Sequence, residues 1–112
     1  MSSPFTELGS YIAGEIPEPW VHQFLDNNNA PINLTGYQVR VTYKIDAGAQ
    51  VVRNGTLNDG PTGKGQYVWI SADLATAGFM QGEMTVGNGT NRYARSFVMR
   101  IEAPKGGPLP TI

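Results

Sequence analysis

The chain has 112 residues, no cysteine and a formal charge of -1, with a pI near 5.7. One domain is therefore expected, and disulfides, thiolate zinc sites and thiol catalysis are excluded together. Near-neutral charge supplies no global field toward nucleic acid or an anionic membrane surface, and neither is expected as a partner.

Charge is unevenly spread. Up to Thr35 there is no Lys or Arg, only Glu7, Glu15, Glu18 and Asp26, whereas Arg92, Arg95, Arg100 and Lys105 outnumber Glu102 near the other end. An acidic start and a basic end can pair within one molecule or between neighbours. The opening MSSPFTELGSYIAGEIPEPW has neither the basic start nor the apolar run of a secretory leader, so synthesis in a cytoplasm is expected. No stretch reaches the roughly 18 apolar residues of a membrane-spanning helix.

Residues 1–17 contain Pro4, Gly9, Gly14 and Pro17 and no sustained period. They read as an extended arm, and Phe5, Leu8, Tyr11, Ile12 and Ile16 make it too apolar for solvated disorder. Such an arm needs a surface, either the flank of its own domain or another subunit. EPWVHQFLD, 18–26, reads as a strand with apolar residues on both faces, hence covered on both sides, and Asp26-Asn27-Asn28-Asn29 as the turn that ends it. In GYQVRVTYKI, 36–45, Tyr37, Val39, Val41, Tyr43 and Ile45 alternate with polar residues at period two, which predicts one dry and one wet face.

After a turn at 46–48, residues 49–57 predict a strand bulged at Asn54-Gly55, and 58–65 a loop. QYVWIS, 66–71, is again a strand, with Tyr67 and Trp69 on one face. Residues 73–78 predict a single helical turn capped by Ser71 or Asp73 and ended by Gly78. A strand over 79–86, an Asn-Gly hairpin loop over 87–91 and a strand over 92–102 follow. Residues 104–112, PKGGPLPTI, hold three prolines that cannot enter the middle of a sheet, so they form a second arm. Six strands and no long helix predict an all-β sandwich over 18–103, with an open barrel as the alternative.

Motifs for chemistry are sparse. His22 is the sole histidine, set between Trp20 and Phe24, and no Gly-x-Ser-x-Gly elbow exposes a nucleophile. Carboxylates fall singly in loops, without the convergent pair that glycoside hydrolysis needs. GPTGKG, 60–65, lacks the first glycine and the final Ser or Thr of a phosphate-binding loop. Asp26–Asn29 offers hard oxygens but lacks the glycine and closing glutamate of a calcium loop. Asn33, Asn54 and Asn88 each head an Asn-x-Thr triplet, which matters only if the protein is secreted. Tyr93, Arg95 and Phe97 share a strand face that could stack bases if exposed. No enzyme activity, metal or cofactor is expected.

The runs FLDNNNAPINLTGYQVRVTYKI, GQYVWISADLATAGFMQGEMTVGNG and RSFVMRIEA, within about 19–103, resemble a bacteriophage virion module. They are similar to the immunoglobulin-like N-terminal domain of phage baseplate upper proteins and to small capsid-associated, or decoration, proteins. The shared residues are Pro31-Ile32-Asn33-Leu34-Thr35-Gly36, Gly65-x-Tyr67-x-Trp69, and Asp73-Leu74 leading to Gly78. The resemblance implies an immunoglobulin-like antiparallel β-sandwich with a role in assembly and no catalytic residues.

Baseplate upper proteins continue into further domains, which favours a stand-alone capsid decoration or accessory subunit here over a baseplate or tail module. The expected location is the virion, after synthesis in the host cytoplasm. The expected partners are phage capsid or tail proteins and further copies of the chain on a symmetric lattice. Phe5, Leu8, Tyr11, Ile12, Trp20 and Leu109 are the expected partner-binding anchors. The alternative is a carbohydrate-binding sandwich with Trp20, Tyr67 or Trp69 as a sugar platform.

Overall fold

In the computed structural model, residues 5–104 are described. They form two packed sheets built from eight strands: β1 Phe5–Ile12, β2 Trp20–Gln23, β3 Gln38–Ile45, β4 Val51–Asn54, β5 Thr56–Asp59, β6 Lys64–Tyr67, β7 Gly78–Gly87 and β8 Arg92–Glu102. The larger sheet has the order β1-β8-β7-β3-β4 and the smaller one β2-β6-β5. Every pairing is antiparallel except β1 with β8, which is parallel. The protein is an all-β sandwich.

β3 sits inside the larger sheet as its alternation dictates. Val39, Val41 and Tyr43 are buried and Tyr37 and Ile45 half-buried, while Gln38, Arg40 and Lys44 are exposed on the other side. Met80, Met84 and Val86 of β7 and Phe97, Met99 and Ile101 of β8 extend the same dry face. From the smaller sheet, Trp20, Phe24, Tyr67 and Trp69 complete the core. Both indoles meet the Phe97 ring edge-on, with centroids 5.0 and 5.9 Å away, the arrangement that aromatic quadrupoles favour.

Three local differences from expectation have physical causes. The strand expected over 49–57 is two strands in different sheets. Asn54 pairs with Arg40 in the larger sheet and Thr56 with Gln66 in the smaller one, and the chain crosses between them at Gly55. A Cβ at Gly55 would lie 2.6 Å from the Gln66 carbonyl oxygen and 2.7 Å from a Val39 methyl, so only glycine fits the crossing. The helical turn is a 3-10 turn over Ser71–Leu74, starting two residues earlier than expected, and Gly78 opens β7 instead of ending that turn. Finally, β2 is covered on one side only, with Val21 42% exposed on the other.

The turns follow their sequence chemistry. The Asp26 carboxylate accepts from the backbone N–H of Asn28 and Ala30 at 2.8 and 3.0 Å, closing the turn after Phe24. Asn88 does the same for Thr90 and Asn91 at 3.0 and 2.7 Å. Both are Asx turns, in which a short side chain replaces a backbone acceptor.

Candidate functional site

Residues 5–12, read from the sequence as part of an arm, lie on the flank of their own domain as the edge strand β1. None of the eight residues is fully buried. The ladder to β8 shifts register between Glu7 and Ser10, around Gly9 at φ 94°. Beside it runs a cleft of about 390 Å³ between the two sheets, lined by Leu8 and Tyr11 of β1, Pro19, Trp20 and Val21 entering β2, and Trp69 and Met99 on its floor, with Glu18 also in its lining.

Three of the expected anchors, Leu8, Tyr11 and Trp20, therefore converge on one seam. Trp20 is only 7% exposed, so its indole belongs to the core and presents just an edge to the cleft. Phe5, half-buried, and Ile12, exposed, lie at the two ends of β1 and do not line the cleft. Leu109 lies outside the described residues.

Among the described residues the most heavily bonded side chain is Asp73, which the sequence offers as a cap of the helical turn and as part of the phage-module resemblance. Asp73 is fully buried. Its carboxylate accepts from the Tyr43 hydroxyl at 2.5 Å, the Tyr67 hydroxyl at 2.7 Å, the Ile70 N–H at 2.9 Å and the Arg53 guanidinium at 3.1 Å. Burial by itself would raise the Asp73 pKa, but these four donors outweigh it and hold the carboxyl below the ordinary value. Burial, with the Asp73 hydrogen bond next, pushes the Tyr43 hydroxyl up to about 12, and the same two causes raise Tyr67.

Tyr43 and Arg53 come from the larger sheet, Tyr67 from the smaller one, and Asp73 from the 3-10 turn that follows it. With no accessible surface on the carboxylate, no substrate can reach it, so the cluster clasps the two sheets together.

The other sequence candidates also serve the framework. Tyr67 and Trp69 are each 3% exposed, so neither they nor Trp20 can offer a ring face to a sugar. Phe97 is core, Tyr93 stacks on Tyr37 at 6.2 Å, and the Arg95 guanidinium donates to the Thr6 hydroxyl at 2.8 Å. That strand face therefore points inward. His22 stands edge-on to Phe24 at 4.8 Å, and burial, then nearby Arg95, lower its pKa.

In the Gly60–Gly65 stretch, Gly60 accepts from the Leu34 N–H at 2.7 Å, and a Cβ at Gly63 would lie 2.6 Å from the Ile32 carbonyl oxygen. The loop is glycine-rich because it packs against the backbone of 32–35. Among the described residues no three His, Asp or Glu side chains come together as a metal site. No helix among them is long and apolar enough to cross a membrane.

The outer side of the larger sheet is an open trough of about 1300 Å³, lined by amides and hydroxyls with Arg40, Lys44, Glu83 and Arg92 among them. It is broad and of mixed character, with exposed Val52 and half-buried Tyr37, stacked on Tyr93, among its polar residues.

No family model and no curated protein matches the chain. Among solved structures it is similar to a family 123 glycoside hydrolase from Clostridium perfringens, described for glycolipid glycan hydrolysis. The identity is 7% and the TM-score 0.32, over 86% of this chain and 22% of that one. The chain thus spans under a quarter of that enzyme, and so slight a likeness transfers no activity.

Proposed function

We propose that the protein is a non-enzymatic structural subunit of a bacteriophage virion, an immunoglobulin-like sandwich serving as a capsid decoration or accessory protein, with a baseplate or tail module as the alternative. The observation that carries this reading is that several of the residues in which the chain resembles phage modules, Leu34, Gly65, Tyr67, Trp69, Asp73 and Leu74, are part of its framework. Leu34 is fully buried and bonded to Gly60, Gly65 sits beneath Met84, and Tyr67 and Asp73 meet in the clasp between sheets. Resemblance at such positions is resemblance in how the fold is held, and the assembly role is what the resembling modules add to it.

The strand order supports the finer description. The smaller sheet runs β2-β6-β5 and the larger one carries β3-β7-β8 side by side, as strands B-E-D and C-F-G do in immunoglobulin sandwiches. Docking is assigned to the seam side of the molecule, where Leu8 and Tyr11 are available, with Phe5, Ile12 and Leu109 as further anchors.

The test is quantitative mass spectrometry of particles purified on a density gradient from lysates in which the chain is expressed with its neighbouring genes. Recovery at a fixed copy number per particle is expected, and cryo-EM of the same particles separates capsid from tail. A protein left wholly in the particle-free fractions would overturn the reading.

A further inference from the structure

We infer that β1 is an exchangeable strand: in assembled or concentrated protein, residues 5–13 of one copy leave their own β8 and occupy the same site on a neighbouring copy, the chain opening at Gly14. The inference rests on the structural reading above and names the partner, a second copy of this chain, and the element that joins them.

Four observations point to it. β1 is the first described strand and lies at a sheet edge, so it can depart without breaking another ladder. It is held by parallel pairing interrupted at Gly9, and parallel ladders are slightly weaker per residue than antiparallel ones. No residue of β1 is fully buried, and its main apolar contacts, Leu8 and Tyr11, border an incompletely filled cleft.

The connection to β2 is the fourth. Gly14, at φ 97°, turns the chain back after β1, and Glu15-Ile16-Pro17-Glu18-Pro19 follows. Each proline restrains the residue before it to extended backbone, so the stretch is stiff and can change direction chiefly at Gly14; in the closed form Pro17 is buried against the domain. Strand exchange across such a hinge is a low-cost route to assembly.

Closed and exchanged forms make the same β1–β8 contacts, so concentration decides between them. A short tether holds β1 near its own site at an effective concentration on the order of millimolar. Dilute protein therefore stays closed, and a lattice that crowds copies together tips the balance.

The absence of native cysteine permits a direct test. Glu7 and Val98 are register partners on adjacent strands, within the reach of a disulfide, and Glu7→Cys with Val98→Cys joins whichever β1 lies beside a given β8. Oxidised in dilute solution, the bond is expected inside single chains. Oxidised in concentrated solution or in particles, it is expected to link chains into dimers and longer ladders on non-reducing gels, rising with concentration.

Bonds confined to single chains at every concentration, and in particles that carry the protein, would overturn the inference while leaving the virion reading intact. Absence from particles would sink that reading, and the concentrated-solution arm would still decide the exchange. Ser10→Cys with Arg100→Cys probes the same pairing should the first variant not fold.

Discussion

The Asp73 cluster and the β1 seam both bridge the larger and smaller sheets, by opposite means. At Asp73 a carboxylate with no exposed surface takes four donors from three strands and the start of a turn, two of them buried hydroxyls. At the seam an edge strand with no fully buried residue leans Leu8 and Tyr11 over a partly open cleft. Directional bonds to a buried charge fail together when one partner is lost, whereas graded apolar contact fails in proportion to the area removed. The difference separates a part built to stay from a part able to move.

The largest effect is expected at the clasp. Asp73→Ala leaves the buried Tyr43 and Tyr67 hydroxyls without their acceptor, while the part-exposed Arg53 guanidinium can turn to water, and should cost about 2–5 kcal/mol, read from urea unfolding. A loss below about 1 kcal/mol would mean that these groups find water or each other as easily as Asp73.

Acid should open the same clasp more gently, because a protonated carboxyl still accepts hydrogen bonds. The folded pKa of Asp73 lies below its unfolded value near 3.8, so its contribution is present above that value and lost as pH falls through the folded one. His22 acts in the same direction. Its folded pKa is depressed below 6.5, so a first, smaller loss of stability belongs below that pH and should vanish in His22→Gln. At the alkaline end Tyr43 has the opposite sign. With its hydroxyl raised to about 12, its contribution is complete below about pH 10 and lost as pH rises toward 12. Thermal melts from about pH 2 to 11 would show both limbs, and Asp73→Asn should flatten the part of the acid limb below about pH 4, leaving the His22 part in place.

The contrast also explains what the sequence made legible. β3, the dry residues of β7 and β8, and the Asx turns at Asp26 and Asn88 are local patterns, each decided by period two or by one short side chain. The clasp is not legible in the sequence because its members, Tyr43, Arg53, Tyr67 and Asp73, are brought together only by packing two sheets. One signal was present: Tyr43 and Tyr67 both fall on dry faces, and a buried hydroxyl demands a partner. The crossing at Gly55 looks like a bulge in sequence because a local pattern does not say which sheet receives the next strand. Leu8 and Tyr11 stand out in sequence as apolar residues of an arm, but the parallel edge pairing that places their strand on β8 is non-local and has no signature of its own.

At the seam the expected effects are smaller. Fully buried leucines cost about 2–5 kcal/mol on truncation to Ala. Leu8 is half-buried beside a cleft already partly empty, so Leu8→Ala should cost about 1–2 kcal/mol, with cooperative unfolding retained. A loss as large as that of Asp73→Ala would put β1 in the same class as the clasp and weaken the case for exchange. Hydrogen exchange gives an independent view: β1 amides should open at a free energy below that of β3 and β7, which lie inside the larger sheet.

The smallest effect tests the hinge itself. Gly14 adopts φ 97° only because the closed form turns there, and an L-residue forced into left-handed backbone pays about 1 kcal/mol. Gly14→Ala should therefore destabilise the dilute monomer by about that amount. The extended connection of an exchanged strand has no need of positive φ, so the substitution penalises the closed form alone. It should lower the concentration at which interchain cross-links appear by about fivefold, the ratio that 1 kcal/mol represents. A substitution that weakened the monomer without moving that threshold would show that the turn at Gly14 persists in both forms, leaving Glu15–Pro19 as the only segment able to reach a neighbour.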